Sequence, residues 1–219
     1  MPLFPVYDEK PYRLSGVVYG ALLNQPSALE QIGAAAHEPP HKAPPKGPVL
    51  YMKPRNTLVP DGQAVLIPES EEAMRVGASI GLVIGRAACR VAAGQALDYV
   101  SGLLLVADLI VPHDTFYRPS VRFVARDRSC LLGGKIATDL DPDALTIDVG
   151  VEGKLAQQVS MQGLVRPAAR LLADVTDFMT LSVGDVLLMG ARIDGPLVRR
   201  GQVFSLAADG MQTLEGTTQ

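Results

Sequence analysis

Residues 76–84 read Val-Gly-Ala-Ser-Ile-Gly-Leu-Val-Ile and end at Gly85, and this uncharged stretch decides the kind of fold. Nine apolar and small residues bounded by a glycine are typical of a buried β-strand, whereas a membrane span needs about 18 apolar residues. A second apolar run, Leu103–Val106, follows a short helix predicted over Ala92–Val100. The centre of the chain is therefore predicted to form paired, buried strands.

Further strands and two more helices are predicted on either side of this centre. Strands are predicted over residues 14–23, Val49–Met52, Ala144–Val151, Val186–Met189 and Val203–Ala207. Helices are predicted over Ala28–Ala36, with Ser27 as N-cap, and over Met161–Thr180, where apolar residues recur at three- and four-residue spacing. Because strands outnumber helices and do not alternate with them, we predict a mixed α/β fold with mostly antiparallel or mixed sheets.

Composition narrows the class of protein. The 219 residues are 47% hydrophobic and 20% charged, with a net charge of -3, which excludes a disordered chain and a strongly basic nucleic-acid binder. Aromatic residues make up only 5% and tryptophan is absent, so the core must be aliphatic. We expect an N-terminal extension over residues 1–16, a single domain over residues 17–219, and no nucleic-acid or membrane partner.

Cysteines and the N-terminus indicate the compartment. Cys89 and Cys130 are too few for a disulfide framework, and both are predicted to be buried small hydrophobic residues. Met1-Pro2-Leu3-Phe4-Pro5 has no basic segment followed by an apolar run, so no signal peptide is expected. The sequence therefore predicts a cytoplasmic protein.

Two polar segments are candidates for chemistry. Residues 37–48 are too rich in proline for a helix or strand, and the His37 and His41 pair within them is a weak metal signal, because zinc sites need three or four ligands. Residues 108–128 begin with Asp108, directly after a buried strand, and carry Arg118, Arg122 and Arg126. They form either a solvated loop or a cleft for carboxylates, which arginine binds through two parallel hydrogen bonds.

Several blocks, in order, resemble the fumarylacetoacetate hydrolase family. The blocks are Lys53-Pro54-Arg55-Asn56-Thr57, Ile80–Gly85, Phe116-Tyr117-Arg118-Pro119, Arg126-Asp127 and Thr180–Val186, and the likeness covers roughly residues 17–208. Within the family, His41–Lys46 followed by Lys53–Thr57 is similar to the N-terminal half of the bifunctional isomerase/decarboxylases of 4-hydroxyphenylacetate degradation.

The resemblance implies a fold, an activity and partners. The fold is a β-rich, barrel-like roll of mixed sheets with a few helices. The implied activity is isomerisation or decarboxylation of small unsaturated keto-dicarboxylic and tricarboxylic acids. The implied partner is a second family subunit, in a homodimer or a hetero-oligomer.

The resemblance also implies a Mg²⁺ or Mn²⁺ site, from which this chain departs. Gly77 and Ser79 stand where catalytic members carry two metal-binding glutamates, and only Asp108 is retained. Ala28 and Gln31 stand where members carry an acid/base His-x-x-Glu pair. A hard cation needs several oxygen ligands, so we expect metal binding to be weak or absent.

The resemblance and the polar segments together nominate site residues. We expect Asp108, Tyr117 and Lys53 to be catalytic and Arg118, Arg126 and Asn56 to bind substrate. Two alternatives remain open: a catalytically silent structural partner of a metal-bearing subunit, and a carboxylate-binding module. Whether residues 37–48 act as a lid is also open.

Overall fold

The computed structural model describes residues 17–39, 42–113 and 120–219. The predicted extension over residues 1–16 lies outside these ranges, as do His41, Tyr117 and Arg118. The described chain forms two β-sheets and a few short helices, with strands that are far more numerous than helices. The predicted mixed α/β class, with curled sheets and few helices, is confirmed.

Within the described residues, the larger sheet has eight strands. Seven of them follow the order β2-β1-β9-β4-β5-β6-β3, and β10 pairs with β4. The pairs β1–β9 and β3–β6 are parallel and the others are antiparallel. The order β12-β11-β7-β8 describes the smaller, fully antiparallel sheet. Their bounds are β1 Val18–Leu22, β2 Val49–Lys53, β3 Leu58–Pro60, β4 Met74–Ile84, β5 Val100–Ile110, β6 Cys130–Leu132, β7 Thr146–Val151, β8 Lys154–Ser160, β9 Val186–Leu188, β10 Leu197–Val198, β11 Val203–Ala207 and β12 Leu214–Thr217.

Strands β4 and β5 are buried on both faces, which is why their sequences are apolar without alternation. Alternate residues such as Val76, Ile80 and Leu105 face a large core shared with the smaller sheet. The intervening residues, among them Val83 and Val106, face a second apolar cluster on the other side. We call the face that carries this second cluster the inner face, and the polar residues on it are the candidates for function.

Three α-helices and three 3-10 helices complete the described chain. The α-helices are α1 Pro26–Ile32, α2 Val121–Val124 and α3 Ala168–Thr176, and the 3-10 helices are Gly33–His37, Arg55–Thr57 and Ala93–Tyr99. Leu171, Leu172 and Val175 of α3 are fully buried in the large core. Asp143 accepts a hydrogen bond from the Ala168 N–H at 2.9 Å, which satisfies an otherwise free donor at the start of α3.

The helix predicted over Met161–Thr180 was too long. The α-helix begins only at Ala168, because Pro167 has an extended ψ of 162° and the Arg166 N–H is bound by Asn24 instead of a helical carbonyl. Leu164 is nevertheless buried, so the apolar spacing before Ala168 indicated buried residues and not helical structure. The helix predicted over Ala92–Val100 is a 3-10 helix over Ala93–Tyr99.

The first helix also differs from its prediction. It begins at Pro26, with Gln25 and not Ser27 in the N-cap position, and ends at Ile32, because the φ of 49° at Gly33 breaks the α-helical geometry. Residues 42–48 form neither helix nor strand, as their proline content predicts. Sequence reasoning did not predict the short strands β3, β6, β10 and β12. It also did not predict β8, whose exposed and polar residues give no apolar alternation.

Cys89 is exposed, so its predicted burial was wrong, whereas Cys130 is buried as predicted. Cys89 lies in a bend between β4 and the 3-10 helix Ala93–Tyr99, next to the buried Ala88. None of the helices within the described ranges is long and apolar enough to cross a bilayer.

Candidate functional site

Three strand residues form a polar cluster on the inner face of the larger sheet. Tyr51 and Lys53 alternate on β2 and therefore share a face, and Asp108 lies near the end of β5. In the sheet order, β1, β9 and β4 separate β2 from β5. Contact between side chains of strands so far apart requires the sheet to curl, so the curled fold is what assembles this cluster.

Lys53 and Asp108 form a buried ion pair. Nζ of Lys53 lies 2.5 Å from Oδ1 of Asp108, and the two side chains are 0% and 2% exposed. The ammonium also donates to the Leu109 carbonyl at 2.8 Å and to Oγ of Ser129 at 3.1 Å. Oδ1 accepts no hydrogen bond of standard geometry, so the adjacent positive charge is what compensates it. All of the donor capacity of Lys53 is thus directed at protein groups.

The other oxygen of Asp108 is bound by tyrosine. The Tyr51 hydroxyl donates a hydrogen bond to Oδ2, and burial, followed by the carboxylate charge, raises the pKa of Tyr51 well above 10.0. The thiol of Cys130 lies on the same face, and burial and the same carboxylate raise its pKa. Neither group is therefore a ready anion at neutral pH. Tyr51 is a neutral hydrogen-bond donor and Asp108 is the acceptor.

A small cavity opens beside this cluster. Tyr51, Gly77 and Asp108 line it on one side, and Arg75 and Arg192 contribute two guanidinium groups. The remaining lining side chains are those of Ala21, Leu22, Ile110, His113, Val124, Ala191 and Ile193. The cavity thus combines a hydrogen-bonded carboxylate with two arginines inside a mostly aliphatic wall. Its volume of about 30 Å³ is well below the roughly 300–1,000 Å³ of most ligand pockets.

The donor set at this cavity does not fit Mg²⁺ or Mn²⁺. Gly77 offers no side chain, and Oγ of Ser79 accepts a hydrogen bond from the Gly190 N–H at 3.2 Å. Asp108 is already engaged by an ammonium and a hydroxyl, and a divalent cation beside that ammonium would be repelled. Across the residues that the structure describes, no three His, Cys, Asp or Glu side chains are grouped as metal ligands would be.

A glutamate introduced in place of Gly77 would also meet steric resistance. A Cβ atom there would lie 2.9 Å from the Asp108 carbonyl oxygen and 3.0 Å from Cβ of Ala191. Contacts this short require the strand or the following loop to shift. Loss of the carboxylate is therefore accompanied by close packing around its position.

The structure brings together only part of the predicted site. Asp108 and Lys53 are in contact, whereas the exposed Asn56 donates to Asp127 at 2.5 Å and lies outside the cavity lining. Arg126 is half-buried and is also absent from that lining. Tyr117 and Arg118 lie outside the described residues, so their roles stay predictions.

Positions 28 and 31, where the resemblance places the acid/base His-x-x-Glu pair, are also unsuited to proton transfer. Ala28 is fully buried in α1 and Gln31 is exposed on its surface, so the two side chains do not converge on one point. Neither residue is among the lining of the cavity beside Asp108. Any proton transfer at this cavity must use other groups.

Sequence reasoning missed two residues of the site. Tyr51 could have been found, because strand alternation from Lys53 puts it on the same face two residues earlier. Arg75 is likewise two residues before Gly77, on the face that carries Asp108. In both cases the available signal is the alternation of side chains between the two faces of a strand. It identifies these residues only once the face that carries Asp108 is known.

One relative matches nearly all of the chain. The 4-hydroxyphenylacetate degradation bifunctional isomerase/decarboxylase of Salmonella dublin is 35% identical over 202 residues, which are 92% of this chain and 47% of that protein. The chain thus spans about half the length of the curated relative. The matched part is the C-terminal half of that protein, so the predicted likeness to the N-terminal half was wrong.

Solved structures show the same fold. A putative fumarylacetoacetate isomerase/hydrolase from Oleispira antarctica superposes with a TM-score of 0.81 at 22% identity, covering 100% of both chains. Fumarylpyruvate hydrolase from Pseudomonas aeruginosa, in complex with Mn²⁺ and pyruvate, superposes with a TM-score of 0.79 at 21% identity, covering 100% of this chain and 97% of that one. The family model described as "Fumarylacetoacetate (FAA) hydrolase C-terminal" matches residues 17–219. With a matching sequence model, a relative in sequence and this shared fold, the chain belongs to the fumarylacetoacetate hydrolase family.

Proposed function

We propose that the chain is a subunit that catalyses a proton shift in small unsaturated keto-dicarboxylic acids, without a resident metal ion. The observation that carries the proposal is the buried Lys53–Asp108 pair with the Tyr51 hydroxyl at the cavity wall. The substrate class, represented by 2-hydroxyhepta-2,4-diene-1,7-dioate, comes from the similarity to isomerase/decarboxylases. Decarboxylation of 5-oxopent-3-ene-1,2,5-tricarboxylate is the less favoured step, because it usually relies on a cation to stabilise the developing enolate.

The proposed step is a 1,3-proton transfer. Asp108 accepts the proton of the 2-hydroxyl group of the dienoic acid, which leaves a dienolate. Once Asp108 is protonated, the single O–H of Tyr51 is released from Oδ2 and donates to the dienolate oxygen. Asp108 then returns the proton to C3, and the oxygen becomes the carbonyl of the product. General acid/base groups of this kind contribute about 10²- to 10⁴-fold to a rate.

Lys53 has a different role in this proposal from the one expected from sequence. Its ammonium is fully buried and its contacts are to Asp108, Leu109 and Ser129. It is absent from the cavity lining. We therefore assign Lys53 as a positioning residue, which holds the Asp108 carboxylate in its orientation.

The test is a turnover assay on 2-hydroxyhepta-2,4-diene-1,7-dioate in the presence of excess EDTA. The loss of the substrate's ultraviolet absorbance measures the rate. We expect activity in EDTA and a loss of about 100-fold in kcat for Asp108→Asn. Tyr51→Phe should also lose activity, whereas Tyr99→Phe, whose ring stacks with Arg86 outside the cavity, should not. Thermal melts of each variant separate loss of folding from loss of chemistry.

Two outcomes contradict this proposal. Absence of turnover, both for the chain alone and for a mixture with a metal-competent family member, would remove the catalytic function. Activity that EDTA abolishes and Mg²⁺ restores would remove the metal-free mechanism. Calorimetric titration with MnCl₂ checks the same point without an assay, and we expect no binding at millimolar concentrations.

A silent structural partner is the second candidate function. The burial of Ala28 and exposure of Gln31 favour it, because neither position offers a group that exchanges protons. In this case the chain would pair with a family member that carries the complete carboxylate set. Size-exclusion chromatography of a mixture tests the pairing: a chain that ignores such a partner and remains homo-oligomeric would not be its scaffold.

A further inference from the structure

A large groove with an apolar lining adjoins the small cavity described above. It is lined by residues of β1, β2 and α2 and by Phe178 and Met179, and its volume is about 560 Å³. Leu22, Tyr51 and Val124 line both the groove and the small cavity, so the two features share a wall. We call this feature the apolar groove.

Three large side chains of the apolar groove are exposed to solvent. The exposed fractions are 58% for Met52, 63% for Val121 and 61% for Phe178. Single exposed apolar residues are common on protein surfaces, but a cluster of them beside a concavity marks an interaction site. No Asp, Glu, Lys, Arg or His is among the described residues that line the groove, so a carboxylate would find no counter-charge there. The groove therefore favours an uncharged, apolar occupant.

The chain carries a segment of matching chemistry in its own N-terminal extension, residues 1–16. Its first seven residues read Met-Pro-Leu-Phe-Pro-Val-Tyr and contain no charged side chain, whereas residues 8–10 are all charged. Phe4, Tyr7 and Tyr12 fall in this extension, out of 5 phenylalanines and 6 tyrosines in the whole chain, so it is richer in aromatic residues than the rest. Proline-containing segments lose little backbone freedom on binding and often bind grooves lined by aromatic residues.

The N-terminal extension joins the sheet beside the apolar groove. The Val17 carbonyl accepts a hydrogen bond from the Val186 N–H at 3.2 Å, and Tyr19, two residues later, lines the groove. Sixteen extended residues span at most about 55 Å, and Ser15-Gly16 are residue types that favour a reversal of the chain. A segment tethered this closely has an effective concentration on the order of millimolar, so a weak intrinsic affinity is enough for binding.

From these observations we infer that the N-terminal extension binds in the apolar groove of its own chain, with Phe4 as the aromatic anchor. The residues around Phe4 then cover the exposed apolar side chains of the groove. The bound extension also contacts Tyr51, whose hydroxyl donates to Asp108. This inference goes beyond the proposed function, because it requires neither a substrate nor a reaction.

A single tryptophan tests the inference. The chain has no tryptophan, so Phe4→Trp introduces one indole, at the proposed anchor. We expect this indole to emit at a shorter wavelength in the folded chain than in urea, because the groove removes it from water. The emission should not change on about 100-fold dilution, since binding within one chain does not depend on protein concentration.

Phe178→Ser perturbs the apolar groove, and Leu155→Ser is its matched control. Phe178 is 61% exposed, and Leu155, on β8 and outside the described lining of the groove, is 63% exposed. Combined with Phe4→Trp, Phe178→Ser should move the indole emission toward its wavelength in urea, whereas Leu155→Ser should leave it unchanged. All variants should unfold cooperatively in thermal melts, since exposed positions contribute little to stability.

Limited proteolysis is a second measurement that needs no tryptophan. Chymotrypsin cleaves after large apolar and aromatic residues, and mass spectrometry follows its cleavage after Tyr7 in chains that retain Phe4. Cleavage requires release of the extension, so its rate follows the fraction of chains in which the groove is vacated. We expect Phe178→Ser to raise this rate by about tenfold or more and Leu155→Ser to leave it within about twofold of the wild type.

Each remaining outcome overturns the inference or supports it. A short-wavelength emission that is lost on dilution would assign the groove to a second copy of the chain and overturn the inference. Equal cleavage rates in Phe178→Ser and Leu155→Ser would place the extension elsewhere and overturn it too. If the indole is exposed, the cleavage rates alone decide, and a rate that only Phe178→Ser raises supports the inference. No substrate is used, so a failure here leaves the turnover test of the proposed function unaffected.

Discussion

Removal of the Lys53 ammonium is the sharpest perturbation of this protein, because it leaves a buried carboxylate without its counter-charge. Asp108 is 2% exposed and Lys53 0% exposed, with 2.5 Å between Oδ1 and Nζ. Breaking a buried ion pair by removal of one partner costs about 3–5 kcal/mol. We therefore expect Lys53→Met to lower the free energy of unfolding by about that amount, which for a chain of this size lowers Tm by roughly 6–20 °C.

The double variant identifies the cause. Lys53→Met combined with Asp108→Asn removes both charges, so it should recover more than half of the lost stability, with a coupling energy of about 2 kcal/mol or more in a double-mutant cycle. Urea denaturation followed by circular dichroism measures both variants. Lys154→Met, at an exposed position on β8, should stay within about 0.5 kcal/mol of the wild type.

The reasoning would be refuted by either of two results. One is a Lys53→Met variant within about 1 kcal/mol of the wild type, which would mean that Asp108 is hydrated or otherwise compensated. The other is a double variant no more stable than Lys53→Met, which would assign the loss to packing of the lysine stem instead of to charge.

Three further outcomes follow from the same cluster. Burial and the Asp108 carboxylate raise the folded-state pKa of Tyr51 above its ordinary value of 10.0. The contribution of Tyr51 to stability is therefore complete below about pH 10 and is lost as the pH rises through the folded-state pKa. The free energy of unfolding, measured against pH in the alkaline range, should fall less steeply for Tyr51→Phe than for the wild type. Cys89 is exposed, whereas burial and the Asp108 carboxylate raise the pKa of Cys130, so a thiol reagent at pH 8 should modify Cys89 alone until the chain is unfolded; rapid modification of both would contradict the buried cluster. Gly20→Ala would place a methyl group against the Tyr51 ring, and we expect a loss of about 1–3 kcal/mol in urea denaturation together with reduced turnover; full activity would show that Tyr51 moves freely.

Most of the fold could be predicted from local sequence. An uncharged, apolar stretch such as residues 76–84 is typical of a buried strand. The bounds predicted for β4 and β11 agree with the structure to within two residues. The errors occurred where tertiary contacts override local preference. Arg166 bonds to Asn24 and Pro167 adopts an extended ψ, so α3 begins seven residues later than its apolar spacing suggested.

The candidate site divides in the same way. From the sequence by itself, the resemblance to the family implied that two of three expected metal ligands are missing, at Gly77 and Ser79. The tertiary structure alone decided what Asp108 contacts instead. Tyr51 and Lys53 are more than 50 residues away in the chain, and three strands separate β2 from β5 in the sheet. Only the curl of the sheet brings the ammonium to the carboxylate, and no local pattern in either strand encodes that contact.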